Sequence, residues 1–381
     1  MTFKHHSIKN QRAKNNSAIM AVLAALFLIG LAVFAYFPGK GTEAERWGIF
    51  TINLLFLMGV TQAGIAFVAI MRLANAQWAK VLYRLGEATT LAFMPFAIAG
   101  FLLIYGFGKE HLFYWLSSSD PHHPWLSAPW LLFRNLTALL IFYALSMLYF
   151  WLALRPNLRN PKYLYYLSPI ILIAFVITNT LIAWDFAMML IPHWHSTVMP
   201  IFYWVENLFA GIALLVILAA APSIRDKSAT RRAAIPLRNM GIMLTGFTLL
   251  WLYMFWSQFF VIWFGDLPNE TLPLWRQMYG HYSPLFWIMI SCAFFIPFGT
   301  LIFAKSKTSL AVMITIALII NAGIWLNKYL LLMPVLSERH WPFTSLVEFA
   351  WIVGLVAGFL FVLLLILRTF PMLSQLEMDE K

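Results

Sequence analysis

Charge and cysteine are the two things this chain has least of. Only 11% of its 381 residues are charged, against 62% hydrophobic. A water-soluble globule of this size would have no way to cover its apolar surface, so most of the solvent must be lipid. The single cysteine, Cys292, lies inside an apolar run. One thiol excludes disulfides, thiolate-held clusters and covalent c-type haem within the chain. Any redox centre therefore belongs to a partner or to a diffusible ligand. Histidine is not rare, but none of the nine falls within an apolar span. That argues against a cytochrome b or a haem-copper oxidase, which place haem ligands inside helices. No low-complexity tract or soluble domain interrupts the apolar runs.

The chain does have long hydrophobic stretches. Runs of about 20 apolar residues, enough to cross a bilayer, fall near 18–37, 48–71, 86–107, 130–154, 165–190, 197–221, 240–264, 284–304, 309–330 and 345–368. The expected fold is all-α and polytopic: a ten-helix transmembrane domain over 18–368, with an N-terminal segment 1–17 and a tail 369–381. The first apolar run follows a basic segment and has no small-residue cleavage site after it, so it reads as an uncleaved helix. Helices two to five and six to nine are expected to form two four-helix bundles, with the first and last helices flanking them.

The net charge of +11 sits in clusters between the runs. This is a topology signal and not a nucleic-acid surface. If the N-terminus is cytoplasmic, 19 Lys and Arg share its side and six (Lys40, Arg46, Lys109, Arg276, Lys328, Arg339) lie opposite, with Arg134 at a helix end. The asymmetry predicts both termini in the cytoplasm, and a bacterial inner membrane is the expected location. The opposite loops are rich in Trp, Tyr, Pro and His and carry seven of the nine histidines (His111, His122, His123, His193, His195, His281, His340). Elaborated loops tend to carry function, so the working face is placed there, although an aromatic interfacial belt accounts for many of the rings.

Ionisable residues within apolar spans are costly and are functional candidates by default. Asp185 lies near the outer end of the fifth helix, Glu206 about ten residues into the sixth, Glu87 at the inner start of the third and Glu348 at the outer start of the tenth. Glu87, Glu206 and Asp185 are read as a candidate proton route. The amides Gln62, Asn179, Asn207, Gln258 and Asn321 add polar groups at several depths. The alternative is that these side chains only hydrogen-bond helix to helix. Beyond Asp185, the segment Pro192-His193-Trp194-His195 groups imidazoles and an indole at the membrane surface. These could accept quinol protons and stack on the ring. His193, Trp194, His195 and Arg134 are therefore the candidate quinol vicinity. Metal ligation by His193 and His195 lacks a third ligand, and no metal site is expected.

These residues also carry a resemblance. Trp184-Asp185-Phe186-Ala187-Met188-Met189, followed by Pro192-His193-Trp194-His195-Ser196-Thr197, resembles the helix-joining motif of the membrane subunits of alternative complex III. Those subunits are relatives of the NrfD and polysulfide-reductase membrane anchors. Phe255-Trp256-Ser257-Gln258-Phe259-Phe260-Val261-Ile262-Trp263 with Leu267-Pro268-Asn269-Glu270-Thr271 resembles the same subunits. Shorter echoes are Arg84-Leu85-Gly86-Glu87-Ala88, His111-Leu112-Phe113-Tyr114-Trp115, Leu126 to Arg134 and Trp325 to Pro334. The resemblance covers most of helices three to nine. It implies a quinol-oxidising respiratory complex with a sister ten-helix subunit, multihaem c-type cytochromes and an iron-sulfur subunit related to molybdopterin enzymes. No cofactor would be held permanently by this chain, and the quinol would be menaquinol or ubiquinol.

The His-Leu-Phe-Tyr-Trp and Ser-Gln stretches look closer to the F subunit than to the quinol-binding C subunit. Where the C subunit carries His before a Gly-Arg pair, this chain reads Gly106-Phe107-Gly108-Lys109, which shifts weight towards proton conduction or scaffolding. His195 stands where an F-type subunit would carry Phe. Two other readings stay open: the quinone-reactive anchor of a molybdopterin oxidoreductase, and a secondary transporter, which the prolines Pro95, Pro169, Pro200 and Pro297 and the buried carboxylates also suit.

Overall fold

A computed structural model describes residues 2–36, 41–116, 125–154, 161–192, 194–225, 236–265, 268–337, 341–343 and 345–370. Among the described residues all regular structure is helical, and ten helices are long and apolar enough to cross a membrane. They are α1 (Ser17–Tyr36), α2 (Glu43–Leu73), α3 (Gln77–Leu112), α4 (Ala128–Leu154), α5 (Lys162–Met188), α6 (Met199–Ala221), α7 (Leu237–Phe264), α8 (Gly280–Leu301), α9 (Leu310–Leu336) and α10 (Leu346–Thr369). The chain is a multi-pass membrane protein. Ten crossings put the loops after the odd-numbered helices on one side, called here the aromatic face, and those after the even-numbered helices on the other, the basic face.

Several helices run further than hydropathy alone suggests: α3 spans Gln77–Leu112 against an apolar run of 86–107, so Glu87 lies within it and not at its start. α2 begins at Glu43, one turn before the apolar run. There the Thr42 hydroxyl accepts from the Glu45 N–H at 3.3 Å and two glutamates occupy the positive end of the helix dipole. α9 continues to Leu336, past Lys328 and through Pro334 in its last turn.

The packing is two rings of four helices. In the first, α2 packs on α3, α3 on α4, α4 on α5 and α5 back on α2; in the second, α6 packs on α7, α7 on α8, α8 on α9 and α9 back on α6. The rings join where α2 meets α6 and α9 and α5 meets α6. α1 and α10 pair with each other on the outside, and α10 lies against α3. In that flanking pair, a Cβ on Gly30 would come within 2.7 Å of the Gly354 Cα, so two glycines set the crossing. Phe34, Trp47, Phe50 and Trp351 stack together and fasten the pair to α2, and Arg46 donates to the Phe34 carbonyl.

α2 is the hub, and its contact with α3 shows how close the helices come. Gly64 and Gly86 face each other, and a Cβ on either would fall within 2.7 Å of the other's carbonyl oxygen. That approach lets the Thr90 hydroxyl reach into the α2 backbone, accepting from the Ile65 N–H at 2.9 Å and donating to the Thr61 carbonyl at 2.7 Å. Thr90→Val removes this bridge between helices and leaves the Ile65 N–H and Thr61 carbonyl only each other, as i to i−4 partners within α2. We expect it to lower stability by about 1–3 kcal/mol, with Thr90→Ser close to the parent. Unfolding in detergent micelles reads the difference, and equal stability of the Val and parent proteins would show that the bridge contributes nothing.

Candidate functional site

One fully enclosed ion pair lies in the second ring. Glu206, the eighth residue of α6, and Lys328, on α9, are each 1% exposed, and Lys328 Nζ lies 2.7 Å from Glu206 Oε1. Asn327 Nδ2 donates to Glu206 Oε2 at 2.6 Å, and the ammonium sits 3.7 Å from the centroid of the Tyr203 ring. At 1.5 Å per residue the carboxylate is about 10 Å along α6 from its start, so it is well inside the helix packing. The whole set comes from two helices: Tyr203 and Glu206 share a face of α6 at a three-residue spacing, and α9 supplies the adjacent pair Asn327 and Lys328. The pair is compact and internally neutral, with an acid and a base in contact. Such an arrangement can take up one proton at the carboxylate while releasing another from the ammonium.

Asp185 belongs to the first ring and is closed differently. It lies in a π-helical turn, Trp184–Met188, sealed by the Met189 N–H donating to the Trp184 carbonyl at 2.7 Å. Its carboxylate is fully buried and accepts a bidentate pair from Arg134, Nε at 2.7 Å and Nη2 at 2.5 Å, plus Asn135 Nδ2 at 2.5 Å. Arg134 Nη1 donates to the Trp125 carbonyl at 2.7 Å while the guanidinium stacks 4.4 Å from the Trp125 ring. Arg134 is thus 6% exposed and inside α4, not at its solvated end. This geometry ties α4, α5 and the chain before α4 into one knot at the aromatic end of the ring.

Glu87, 1% exposed, lies at the basic end of the same ring between Arg72 and Arg84, each 3.4 Å away. Arg72 in turn packs over the rings of Tyr83 and Tyr149. The three carboxylates of the expected route therefore sit in three separate ion-paired settings. Asp185 and Glu87 mark the two ends of the first ring, and Glu206 lies within the second.

Between the rings runs a line of amides. Asn207 Nδ2 donates to Asn179 Oδ1 at 2.8 Å, and Asn179 Nδ2 donates to Gln62 Oε1 at 3.0 Å. A Cβ on Gly59 would come within 2.4 Å of the Asn207 amide, so glycine there makes room for the first link. The ladder joins α6, α5 and α2. Amides do not exchange their charge state near neutral pH, so this line fixes the register of the rings and does not itself carry protons.

Of the expected quinol-vicinity residues, Trp194 is buried and His195 is exposed. His193 lies outside the described residues, as do His122, His123 and His340. Among the described residues no group of three His, Cys, Asp or Glu side chains could hold a metal.

Lys328 and its neighbour Asn327 are what sequence reasoning missed. The charge count placed Lys328 with the outer loop residues, and the structure corrects this: it is a buried partner within α9. The signal was the run Tyr329 to Met333, which continues apolar after Lys328 without a turn residue. Asn135 was missed for a similar reason, since an amide beside Arg134 resembled a polar helix end.

No family model matches the chain, and no curated protein is detectably similar to it in sequence.

Breaking a buried ion pair from one side leaves a charge stranded. Asp185→Asn should therefore cost roughly 3–5 kcal/mol of stability, and the double variant Asp185→Asn with Arg134→Met should recover much of that loss. Denaturant unfolding in detergent measures both. A single variant as stable as the parent would show that the knot is energetically idle.

Proposed function

We propose that this multi-pass protein is a membrane subunit of a quinol-oxidising respiratory complex of the alternative complex III type, and that its own contribution is proton conduction through the Glu206–Lys328 pair. The observation that carries the reading is the burial of that pair. A carboxylate and an ammonium, each 1% exposed inside a ten-helix membrane domain, are expensive and mark ion or proton pathways more often than stabilising contacts.

The chemistry follows from the contacts. While both groups are charged they hold each other. A proton arriving at the Glu206 carboxylate cancels that attraction, and the Lys328 ammonium is left with the Tyr203 ring face as its main stabilisation. In a medium of low dielectric the ammonium then favours releasing a proton. One proton enters at Glu206, one leaves from Lys328, and a single transfer from the protonated Glu206 to the neutral Lys328 amine restores the original pair. Asn327 holds the carboxylate orientation throughout.

Electrons travel in partner subunits on this reading: the chain has one cysteine, and the two histidines that the structure does place within spans, His111 and His281, are exposed at the aromatic ends of α3 and α8, where they do not make the paired ligands a haem needs. The partners are a sister ten-helix subunit, multihaem c-type cytochromes and an iron-sulfur subunit of molybdopterin-enzyme type. The aromatic face is periplasmic and both termini are cytoplasmic, in a bacterial inner membrane. Menaquinol or ubiquinol would meet the complex on the aromatic side, near Trp194, His195 and Arg134.

Glu206→Gln in the intact complex should lower the number of protons moved per electron and slow quinol-dependent cytochrome c reduction by about 10²-fold where the transfer limits turnover. Proteoliposomes with a pH-sensitive dye, together with a stopped-flow haem assay, read both quantities. An unchanged ratio and unchanged turnover would reduce the pair to a structural clamp. His195→Ala raises the apparent KM for quinol if this chain lines the site, and an unchanged KM assigns the site to the sister subunit.

A further inference from the structure

A short amphipathic helix, Pro268–Met278, lies on the aromatic face between α7 and α8 and packs on α7, α8 and α9. Two cavities lie beneath it. The outer one, about 170 Å³, is bounded by Pro192, Pro273, Arg276, Gln277, Leu331 and Pro334. Arg276 is exposed, so this cavity has a charged side chain at its border. The inner one, about 20 Å³, is bounded by Trp194, Phe255, Gln258, Gln277, Asn327 and Leu331. Pro273, Gln277 and Leu331 line both, which makes the two cavities neighbours across a shared wall.

The inner cavity is small and mostly apolar, but its lining residues include two with unpartnered polar atoms. Gln258 is 6% exposed and Trp194 2% exposed. Gln258 Oε1 and Trp194 Nε1 have no hydrogen-bond partner among the described residues. Asn327, on the same wall, is the residue that donates to Glu206. A site holds a water molecule when it offers about 10–15 Å³ and two or more polar partners. Here the residues that carry the unpartnered donor and acceptor, together with Gln277 and Asn327, border a space just above that size. An unpaired buried indole N–H and amide oxygen would otherwise cost about 1–3 kcal/mol each. The outer cavity is smaller than the roughly 300 Å³ at which drug-sized ligand pockets begin, and it suits a few waters better than a large organic molecule.

We propose that the two cavities form a hydrated vestibule that brings water, and with it protons, from the aromatic face to the Asn327 side of the Glu206–Lys328 pair. The proton-carrying half of this proposal rests on the proposed function above; the hydration half stands on the cavities alone. Water in the outer cavity exchanges with bulk solvent beside Arg276. Water in the inner cavity accepts from Trp194 Nε1 and donates to Gln258 Oε1. From there Asn327 is the last side chain before the carboxylate.

The single native thiol makes the test direct. In a Cys292→Ser background, Gln258→Cys and Leu331→Cys place thiols in the inner cavity and on the shared wall, and Thr248→Cys supplies a buried control on α7 that lines neither. The full complex in sealed membranes is treated with aminoethyl methanethiosulfonate from the aromatic side. A thiol in contact with water ionises and reacts, whereas one in dry packing is inert, so at least one of the two vestibule positions should react about tenfold or more faster than the control. If both react no faster than Thr248→Cys, the vestibule is dry and the proposal fails. Leu331→Phe, in a chain that retains Gln258→Cys, then narrows the shared wall. It should slow labelling and lower the proton-to-electron ratio. Slowed labelling with an unchanged ratio, in a complex that Glu206→Gln still impairs, overturns this route and leaves the role of Glu206 standing. A complex indifferent to Glu206→Gln fails the functional reading instead, whatever the labelling shows.

Discussion

Hydrocarbon offers no hydrogen-bond partner, so every polar atom inside this protein must be satisfied by another part of the same bundle or by a ligand. That constraint organises α2 more than any other helix. Asn53 accepts from Trp325 Nε1 of α9 at 2.9 Å, Thr61 shares its carbonyl with Thr90 of α3, and Gln62 accepts from Asn179 of α5. One helix thus exchanges polar contacts with three others, and those contacts join both rings. At its aromatic end, the Ser337 hydroxyl donates to Glu45 at 2.5 Å, and the Ser337 carbonyl accepts from Tyr282 of α8 at 2.8 Å. Glycines at 59, 64 and 86 set the close approaches along this helix that these short side chains require.

Polar groups satisfied in this way act as registers as much as glue. An amide bond between membrane helices is worth on the order of 1 kcal/mol, because the separated helices also find partners. A buried ion pair contributes even less certainly, since hydrophobic residues of similar volume often pack as stably. Stability therefore does not explain why Glu206 and Lys328 stand where two leucines would fit. The Arg134–Asp185 knot differs because its contacts extend to Asn135 and the Trp125 carbonyl, which fastens the chain leading into α4. One buried pair also fastens the chain leading into α4, whereas the contacts of the other stay within α6 and α9.

The helical skeleton was legible in the sequence because the solvent imposes it: a span must be apolar for about 20 residues, and ten such runs are plain. The two-ring arrangement was also legible, since short connections place neighbouring helices side by side. Partnerships between distant helices were not. Nothing local to Glu206 points to a lysine 122 residues later, and Lys328 next to the family-like Trp325 to Pro334 stretch read as an outer-loop charge. Charge counting assigns every Lys and Arg to a side of the membrane, and a cation buried by a carboxylate defeats that rule. Arg134 was seen at a helix end for the same reason, although the structure encloses it. The separation of Asp185 from Glu206 into different rings was equally hidden, because the two are only 21 positions apart in the chain.

That separation changes how a proton path must be argued. In the first ring the ionisable groups mark the ends, Asp185 with Arg134 at the aromatic end and Glu87 with Arg72 and Arg84 at the basic end, and the amides between them cannot pass a net charge. The second ring has its ion pair inside and cavities reaching towards it from the aromatic face. An acid–base pair transfers protons only if water or another titratable group reaches it, and the second ring has a cavity bounded by Asn327, the residue that donates to Glu206. The first ring is then the fixed half, clamped at both ends by arginine and registered through Gln62, Asn179 and Asn207. If the proposed proton transfer takes place, the second ring is the half whose electrostatics change, and Asn207, adjacent to Glu206 in α6 and bonded to Asn179 of α5, is where that change would be felt by the first ring.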